Sequence, residues 1–334
     1  MPTLTPTPLI DSFGRHIDYV RLSVTDRCDF RCTYCMAEEM TFLPRREVLS
    51  LEEIGRVAKI FLRLGVSKLR VTGGEPLIRR GIHTLLEDIG AIPGLKELAI
   101  TTNASQLKHS AQTLRKAGVN SLNISLDTLD PAKFRAITRV GDLDTVLAGI
   151  EAALDEGFER IRLNAVILRG QNDDDVIPLT EYAIAKGINI AFIEEMPLGQ
   201  VNAAGKPLEF VASSEIQTAL DQYFTLTAEE APAHAGPARY WFVSGTKTRV
   251  GLISPHTNNF CSSCNRLRVT AEGRLLLCLG NEHSISLRDH LRAGDSDDEL
   301  AARIHNALTM KPERHVFDQP NEPQILRFMN ASGG

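Results

Sequence analysis

Cysteine thiolates bind metals and support one-electron chemistry, and the six cysteines of this chain fall into two triplets. Cys28-x3-Cys32-x2-Cys35 lies near the start and Cys261-x2-Cys264-x13-Cys278 near the end. Each triplet offers one thiolate fewer than a closed zinc site or a fully capped four-iron cluster takes. Three cysteines on such a cluster leave one iron open, and an open metal position is where a small molecule binds and reacts. No histidine lies between His16 and His83, so the first triplet lacks a local fourth ligand. His256 precedes Cys261 by five residues and leaves a zinc site open as an alternative for the second triplet. The same deficit occurring twice points to the same cofactor twice. No histidine pair has metal-ligand spacing along a helix, and none is assigned to chemistry.

The arginines add a second kind of chemistry. Arg21, Arg70 and Arg162 each interrupt an apolar run, and strand residues alternate between faces. If the three point inward, their guanidinium groups need an anion, because unpaired buried charge is costly. Polyphosphate suits that need, since the planar guanidinium fork matches phosphate oxygens. If they point outward, they pair with neighbouring helices. Arg266 and Arg268 share one strand face just after Cys264 and can serve the same ligand. Thr72-Gly73-Gly74-Glu75-Pro76 follows a strand; its glycines let backbone approach a ligand, and Glu75 can accept from an ammonium or ribose. An ordinary strand-to-helix turn remains the alternative. Thr101-Thr102-Asn103, Ser125-Leu126-Asp127 and Glu194-Glu195-Met196 end other strands in polar groups.

These residues need a scaffold, and the pattern supplies one. Candidate strands at 19–25, 68–72, 97–101, 121–125, 160–167 and 188–193 alternate with helical stretches. Ser50 and Glu53 form a capping box before a helix with an apolar face, and Gly65, Gly118, Gly157 and Gly187 mark helix ends. Six βα units predict parallel strands, whereas a full barrel takes eight and about 250 residues. An incomplete barrel or an open doubly wound sheet both fit. The first triplet follows the first strand directly, on the edge where parallel α/β folds build active sites. After Met196 come loops at 198–207 and 228–238, short strands at 240–243, 249–253, 266–270 and 274–278, and helices near 286–292 and 297–308. The expected division is a disordered tip at 1–12, a partial barrel at 13–200 and an α+β extension at 201–334.

The chain has 334 residues, 43% hydrophobic and 24% charged, which is globular composition. A net charge of −5 with 6% aromatic residues argues against nucleic-acid binding. No apolar run approaches the roughly 18 residues of a membrane span. The start has no basic and apolar signal-peptide pattern, so a cytoplasmic location is expected, where disulfides are disfavoured.

The first triplet with Tyr34 before its last cysteine resembles the radical S-adenosylmethionine signature, and Gly-Gly-Glu-Pro resembles the second hallmark of that superfamily. Longer strings, Tyr19-Val-Arg-Leu-Ser-Val-Thr-Asp-Arg-Cys28, Leu69-Arg-Val-Thr-Gly-Gly-Glu-Pro-Leu77, Phe260-Cys-Ser-Ser-Cys-Asn-Arg-Leu-Arg268 and the final Gly333-Gly334, resemble the GTP 3′,8-cyclase family of molybdenum cofactor biosynthesis. The resemblance implies an incomplete (βα)6 barrel with a C-terminal extension, two [4Fe–4S] clusters and S-adenosylmethionine. It assigns Cys28, Cys32 and Cys35 to a first cluster that chelates S-adenosylmethionine, and Tyr34, Gly74, Ser125 and Met196 to holding that cofactor. It assigns Cys261, Cys264 and Cys278 to a second cluster that meets guanine, and Arg21, Arg70, Thr101, Arg162, Arg266 and Arg268 to GTP. A 5′-deoxyadenosyl radical then takes the 3′ hydrogen of GTP and C3′ adds to guanine C8. Gly333 and Gly334, by themselves a frayed end, become a tail reaching the active site. The implied partners are a flavodoxin- or ferredoxin-like electron donor, a downstream cyclic pyranopterin monophosphate synthase and a second copy in a homodimer. Three positions depart from the family: Arg162 stands where Lys is usual, Ala104 where Gly is, and Asp29 where Asn is. The competing readings are a twin-cluster radical enzyme acting on a peptide and a zinc-stabilised binding module.

Overall fold

The computed structural model describes residues 8–198, 210–230, 236–315, 317 and 327–334. Strand β1 (Tyr19–Ser23) leads through α1 (Leu51–Arg63) to β2 (Lys68–Thr72), and α2 (Ile82–Gly90) leads to β3 (Glu97–Thr102). Then come α3 (Leu107–Lys116), β4 (Ser121–Ser125), α4 (Pro131–Thr138), α5 (Leu143–Asp155), β5 (Arg160–Ile167), α6 (Val176–Lys186) and β6 (Asn189–Glu194). The expected capping box opens α1: the Ser50 hydroxyl accepts from Glu53 N at 3.1 Å and Glu53 accepts from Ser50 N at 2.7 Å. β1 to β6 pair in parallel in sequence order. Their outward residues, such as Val20, Leu69, Ile100, Ile124 and Leu163, are fully buried beneath the helices. That apolar half of each strand forms the core and leaves the other half free for polar work.

The extension contributes α7 (Ser213–Tyr223), β7 (Leu226–Ala228), β8 (Ala238–Val243), β9 (Arg249–Ile253), β10 (Arg266–Val269), β11 (Arg274–Leu276), β12 (Ser284–Ser286), α8 (Leu287–Ala293), α9 (Asp297–Ala307) and α10 (Met329–Ser332). Its strands do not stack as a separate layer. β10 pairs in parallel with β1 and β9 in parallel with β6, while β11–β12 and β8–β7 continue outward antiparallel. A six-stranded open sheet has two edges of unpaired N–H and C=O groups, and the extension covers both. The sheet curls around a lumen but is not a closed barrel, because β10 and β9 have other outward partners.

α7, β7, β12 and α10 were not expected from the sequence. The tip narrows: Leu9 and Asp11 are buried, the Leu9 carbonyl accepts from Ile17 N at 2.8 Å, and Ile10 bridges to His16, while Pro8, Ile10 and Ser12 stay exposed. The apolar Leu9 explains this, since burying it offsets the cost of ordering the turn beside it. Residues 1–7, most of the expected loop at 198–207 and the division at 200 lie outside the described residues. Among the described residues no helix is long and apolar enough to cross a membrane.

Candidate active site

The pleat sends every second residue into the lumen, and the strand register turns those residues into rows. Arg268, Arg21 and Arg70 stand directly opposite one another on β10, β1 and β2. Two residues earlier, Arg266, Tyr19 and Lys68 form a second row that Glu97 on β3 continues. Thr101 on β3 faces Asn123 on β4, which faces Arg162 on β5. Arg21, Arg70, Thr101, Arg162, Arg266 and Arg268 all line one cavity of about 250 Å³. The inward choice is therefore the one the chain makes.

This concentration of cations is under strain. Burial lowers the pKa values of Arg21, Arg70 and Arg268, and the neighbouring guanidinium groups lower them further, Arg70 to about 10. Arg70 Nε and Thr101 Oγ1 are buried with no hydrogen-bond partner among the described residues. Buried donors without acceptors cost free energy that an anionic ligand recovers. Arg162 is already oriented: its Nε donates to Asn164 Oδ1 at 3.0 Å and its Nη1 to the Tyr240 hydroxyl at 2.5 Å. A lysine has one ammonium and cannot make this fork.

The first triplet lies on the loop after β1, at the C-terminal ends of the strands. Cys28 Sγ accepts from Phe30 N at 3.4 Å and from Asn103 Nδ2 at 3.8 Å, and Cys35 accepts from the Asn330 backbone. Burial pushes the Cys28, Cys32 and Cys35 thiols up, Cys35 to about 12, and nearby Glu75 and Asp127 add to this. Metal charge is what would hold them as thiolates. The Tyr34 hydroxyl donates to Asp127 Oδ2 at 2.8 Å, and Asp127 Oδ1 accepts from Val166 N at 2.8 Å. That pair fixes the Tyr34 ring against the end of β4. Tyr34, Gly74, Ser125 and Met196 all line the same cavity.

The Gly-Gly-Glu-Pro turn works differently from the expectation. Gly74 N donates to Thr25 O at 2.8 Å, and a Cβ on Gly74 would collide with the Arg27 carbonyl. Glu75 is fully buried and accepts from Leu77 N at 3.0 Å, Thr102 Oγ1 at 2.8 Å and Asn103 N at 2.7 Å. Its carboxylate ties the β2 turn to the β3 turn and is not free for a ligand ammonium or ribose. Gly74→Ala should displace the Cys28 loop, so reconstituted protein should lose the electron paramagnetic resonance signal of the first cluster while its circular dichroism stays unchanged. Normal iron uptake in that variant would contradict the close packing.

The second triplet occupies the other end of the lumen. Cys264 precedes β10, which runs parallel to β1, while Cys278 follows β11, which runs back antiparallel. The register thus puts Cys264 and Cys278 near the level where β1 starts and Cys28 beyond where it ends, with the arginine rows between. All six cysteines are free thiols and line the shared cavity. Burial raises the Cys264 thiol, yet Arg266 at 3.8 Å and Lys311 at 3.7 Å bring it down to about 6. Lys311 is buried and also donates to Arg266 O at 3.1 Å. The Arg266 guanidinium sits 4.8 Å over the Phe260 ring. His256 is engaged elsewhere: its ring bonds Glu195 O at 2.7 Å and stacks on Phe210 at 4.4 Å. Among the described residues no three His, Cys, Asp or Glu stand close enough to hold a single ion. Ligands of a four-iron cube need not, because each binds a different iron. The N–H donors on the sulfurs also suit cluster ligation.

The last residues enter the same cavity. α10 is anchored where Asn330 Nδ2 donates to Asp26 O at 2.8 Å. Beyond it, the Gly333 carbonyl accepts from Arg268 Nη1 and a backbone oxygen of Gly334 accepts from Thr72 Oγ1 at 3.3 Å. Of the departures noted above, Ala104 adopts φ +63°, a left-handed conformation that glycine takes without strain. Asp29 accepts from Asn103 Nδ2 at 2.7 Å and Ser105 Oγ at 2.6 Å. Sequence reasoning missed Tyr19, Lys311 and Asn330 as site residues. Tyr19 stood inside a quoted motif, but a lone lysine and asparagine near the end carried no signal.

Residues 22–183 match the family model described as Radical SAM superfamily, and residues 188–317 match Molybdenum Cofactor Synthesis C. The GTP 3′,8-cyclase 1 of Pseudomonas aeruginosa is 57% identical over 98% of this chain and 100% of its own length. The GTP 3′,8-cyclase of Pseudomonas entomophila is 54% identical over 98% and 99%. The chain belongs to the GTP 3′,8-cyclase family. Membership of this radical S-adenosylmethionine family implies a [4Fe–4S] cluster and S-adenosylmethionine. Among solved structures, Streptococcus suis SuiB bound to precursor peptide SuiA superposes with a TM-score of 0.62 at 17% identity, over 98% of this chain and 76% of that one. That likeness shows the shared fold and nothing about substrate.

Proposed function

We propose that this chain cyclises GTP between the ribose 3′ and guanine 8 positions in molybdenum cofactor biosynthesis. The observation that supports this best is the arginine grid between two thiol triplets in one cavity. Arg21, Arg70, Arg162, Arg266 and Arg268 bind the triphosphate through charge-assisted bonds. Cys28, Cys32 and Cys35 hold the first [4Fe–4S] cluster, and Tyr34, Gly74, Ser125 and Met196 hold S-adenosylmethionine beside it. Cys261, Cys264 and Cys278 would hold a second cluster, which would supply a binding point for the guanine. When bound, the reduced first cluster and S-adenosylmethionine supply the one-electron hydrogen abstraction that cyclisation needs. The polypeptide supplies placement: holding a nucleotide at both ends limits which carbon can face the adenosyl group. The apolar cavity wall excludes water from the reactive species. Reducing equivalents come from a flavodoxin- or ferredoxin-like donor, and the product passes to cyclic pyranopterin monophosphate synthase.

Anaerobic reconstitution should give about eight irons per chain, as two four-iron clusters require. Incubation with GTP, S-adenosylmethionine and reductant should yield 5′-deoxyadenosine and a product isomeric with GTP, of the same mass but resolved from it by chromatography. Four irons at saturation would remove the second cluster, and no cyclic product would remove the reading as a whole.

A further inference from the structure

Tyr19 is an acidic group set in the middle of the cationic grid. It faces Arg266 on β10 and Lys68 on β2, one step from the row of Arg268, Arg21 and Arg70. The residue is 3% exposed. Arg21 Nε donates to its hydroxyl at 3.0 Å. Three cations lie over its ring, Lys68 at 5.0 Å, Arg70 at 5.4 Å and Arg21 at 5.5 Å from the centroid. The nearest carboxylate in that row, Glu97, is engaged by Lys68 at 2.9 Å and Arg160 at 2.7 Å. Arg162 repels Arg21 and Arg70 from across the lumen.

We propose that the Tyr19 phenol is the resident counter-anion of this grid, ionised while the lumen is empty and reprotonated when a nucleoside triphosphate brings its own charge. The inference rests on the polyphosphate reading above. Burial raises the phenol pKa, but Arg21, Arg70 and Lys68 outweigh burial and bring it down to about 7. Phosphate oxygens take over those cations, the phenolate loses its stabilisation, and a proton returns to it. Tyr19 is a positioning residue: its ring and hydroxyl hold Arg21, Arg70 and Lys68 aimed into the lumen without a ligand.

The test is anaerobic titration calorimetry of the reconstituted enzyme with GTP alone, in two buffers of different ionisation enthalpy. At pH 8.5, well above a phenol pKa of about 7, binding should take up about one proton per GTP. The wild-type Kd should rise by about tenfold per pH unit between pH 7.5 and 9, because each bound GTP requires that proton. Tyr19→Phe should remove both the uptake and the slope. Lys68 and Arg70, whose pKa values burial also lowers, remain in that variant as controls. GTP binding without proton uptake in the wild type overturns the role of Tyr19 alone, and so does uptake that survives Tyr19→Phe. Failure of the wild type to bind GTP overturns the polyphosphate reading itself.

Discussion

Arg268→Ala should abolish cyclic product while 5′-deoxyadenosine is still released from S-adenosylmethionine. Arg268 stands beside Arg21 and Arg70 in the upper row, and its pKa is lowered because burial and the other arginines disfavour its charge. Each hydrogen bond between charged partners contributes about 1.5–3 kcal/mol, so a fork on phosphate is worth roughly two to four decades in kcat/KM. The first triplet and the residues assigned to S-adenosylmethionine lie on other elements, β1, β2, β4 and β6 and the loops after them. Their chemistry should continue uncoupled from GTP. Arg266→Ala is expected to lose cyclisation too, but with an added change in the second cluster, since Arg266 also touches Cys264. Chromatography that resolves 5′-deoxyadenosine and the cyclic product from the isomeric GTP separates the two activities. Equal loss of both in Arg268→Ala would mean that the arginine supports the whole lumen and not the nucleotide.

The strands that build this lumen were legible because they carry two signals at once. In β1, β2 and β5 the apolar residues alternate with Arg21, Arg70 and Arg162, so the outward half reads as core and the inward half as site. β5 was read at its full span, and β6 shifted by one residue because Ile188 is buried just ahead of the strand. What periodicity does not encode is pairing between strands distant in sequence. Nothing in the run from Arg266 to Val269 says that it lies parallel to β1, yet that register creates the Arg268–Arg21–Arg70 row. Short elements such as β7 and β12 have three residues each and too little pattern to stand out. The carboxylates were the least legible: Glu75 and Asp127 looked like ligand-facing groups, and only their hydrogen bonds assign them to bracing turns and Tyr34.

Gly333→Ala should impair turnover severely, whereas Gly334→Ala should be mild, although the two glycines are neighbours. Gly333 has φ +74° and ψ 143°, outside the left-handed helical well and close to a region that is essentially glycine-only, where another residue costs roughly 1–3 kcal/mol. An added Cβ there would also collide with the Thr72 side chain, which is buried on β2. The tail cannot yield inward, because α10 is fixed by Asn330 to Asp26 O, so it must lift away. Lifting it removes the Gly333 carbonyl from Arg268 and leaves that guanidinium to reorient within a repulsive group. At Gly334 an added Cβ meets only Thr101 Cγ2 at 3.9 Å, an ordinary contact. The expected result is a fall in kcat of at least about tenfold for Gly333→Ala, the rate equivalent of 1.4 kcal/mol, against less than about threefold for Gly334→Ala. Iron content should be unchanged in both, since no cysteine moves. Steady-state rates with iron analysis decide the matter: equal effects at the two positions would show that the tail acts by length alone, independent of how Gly333 seats against Thr72.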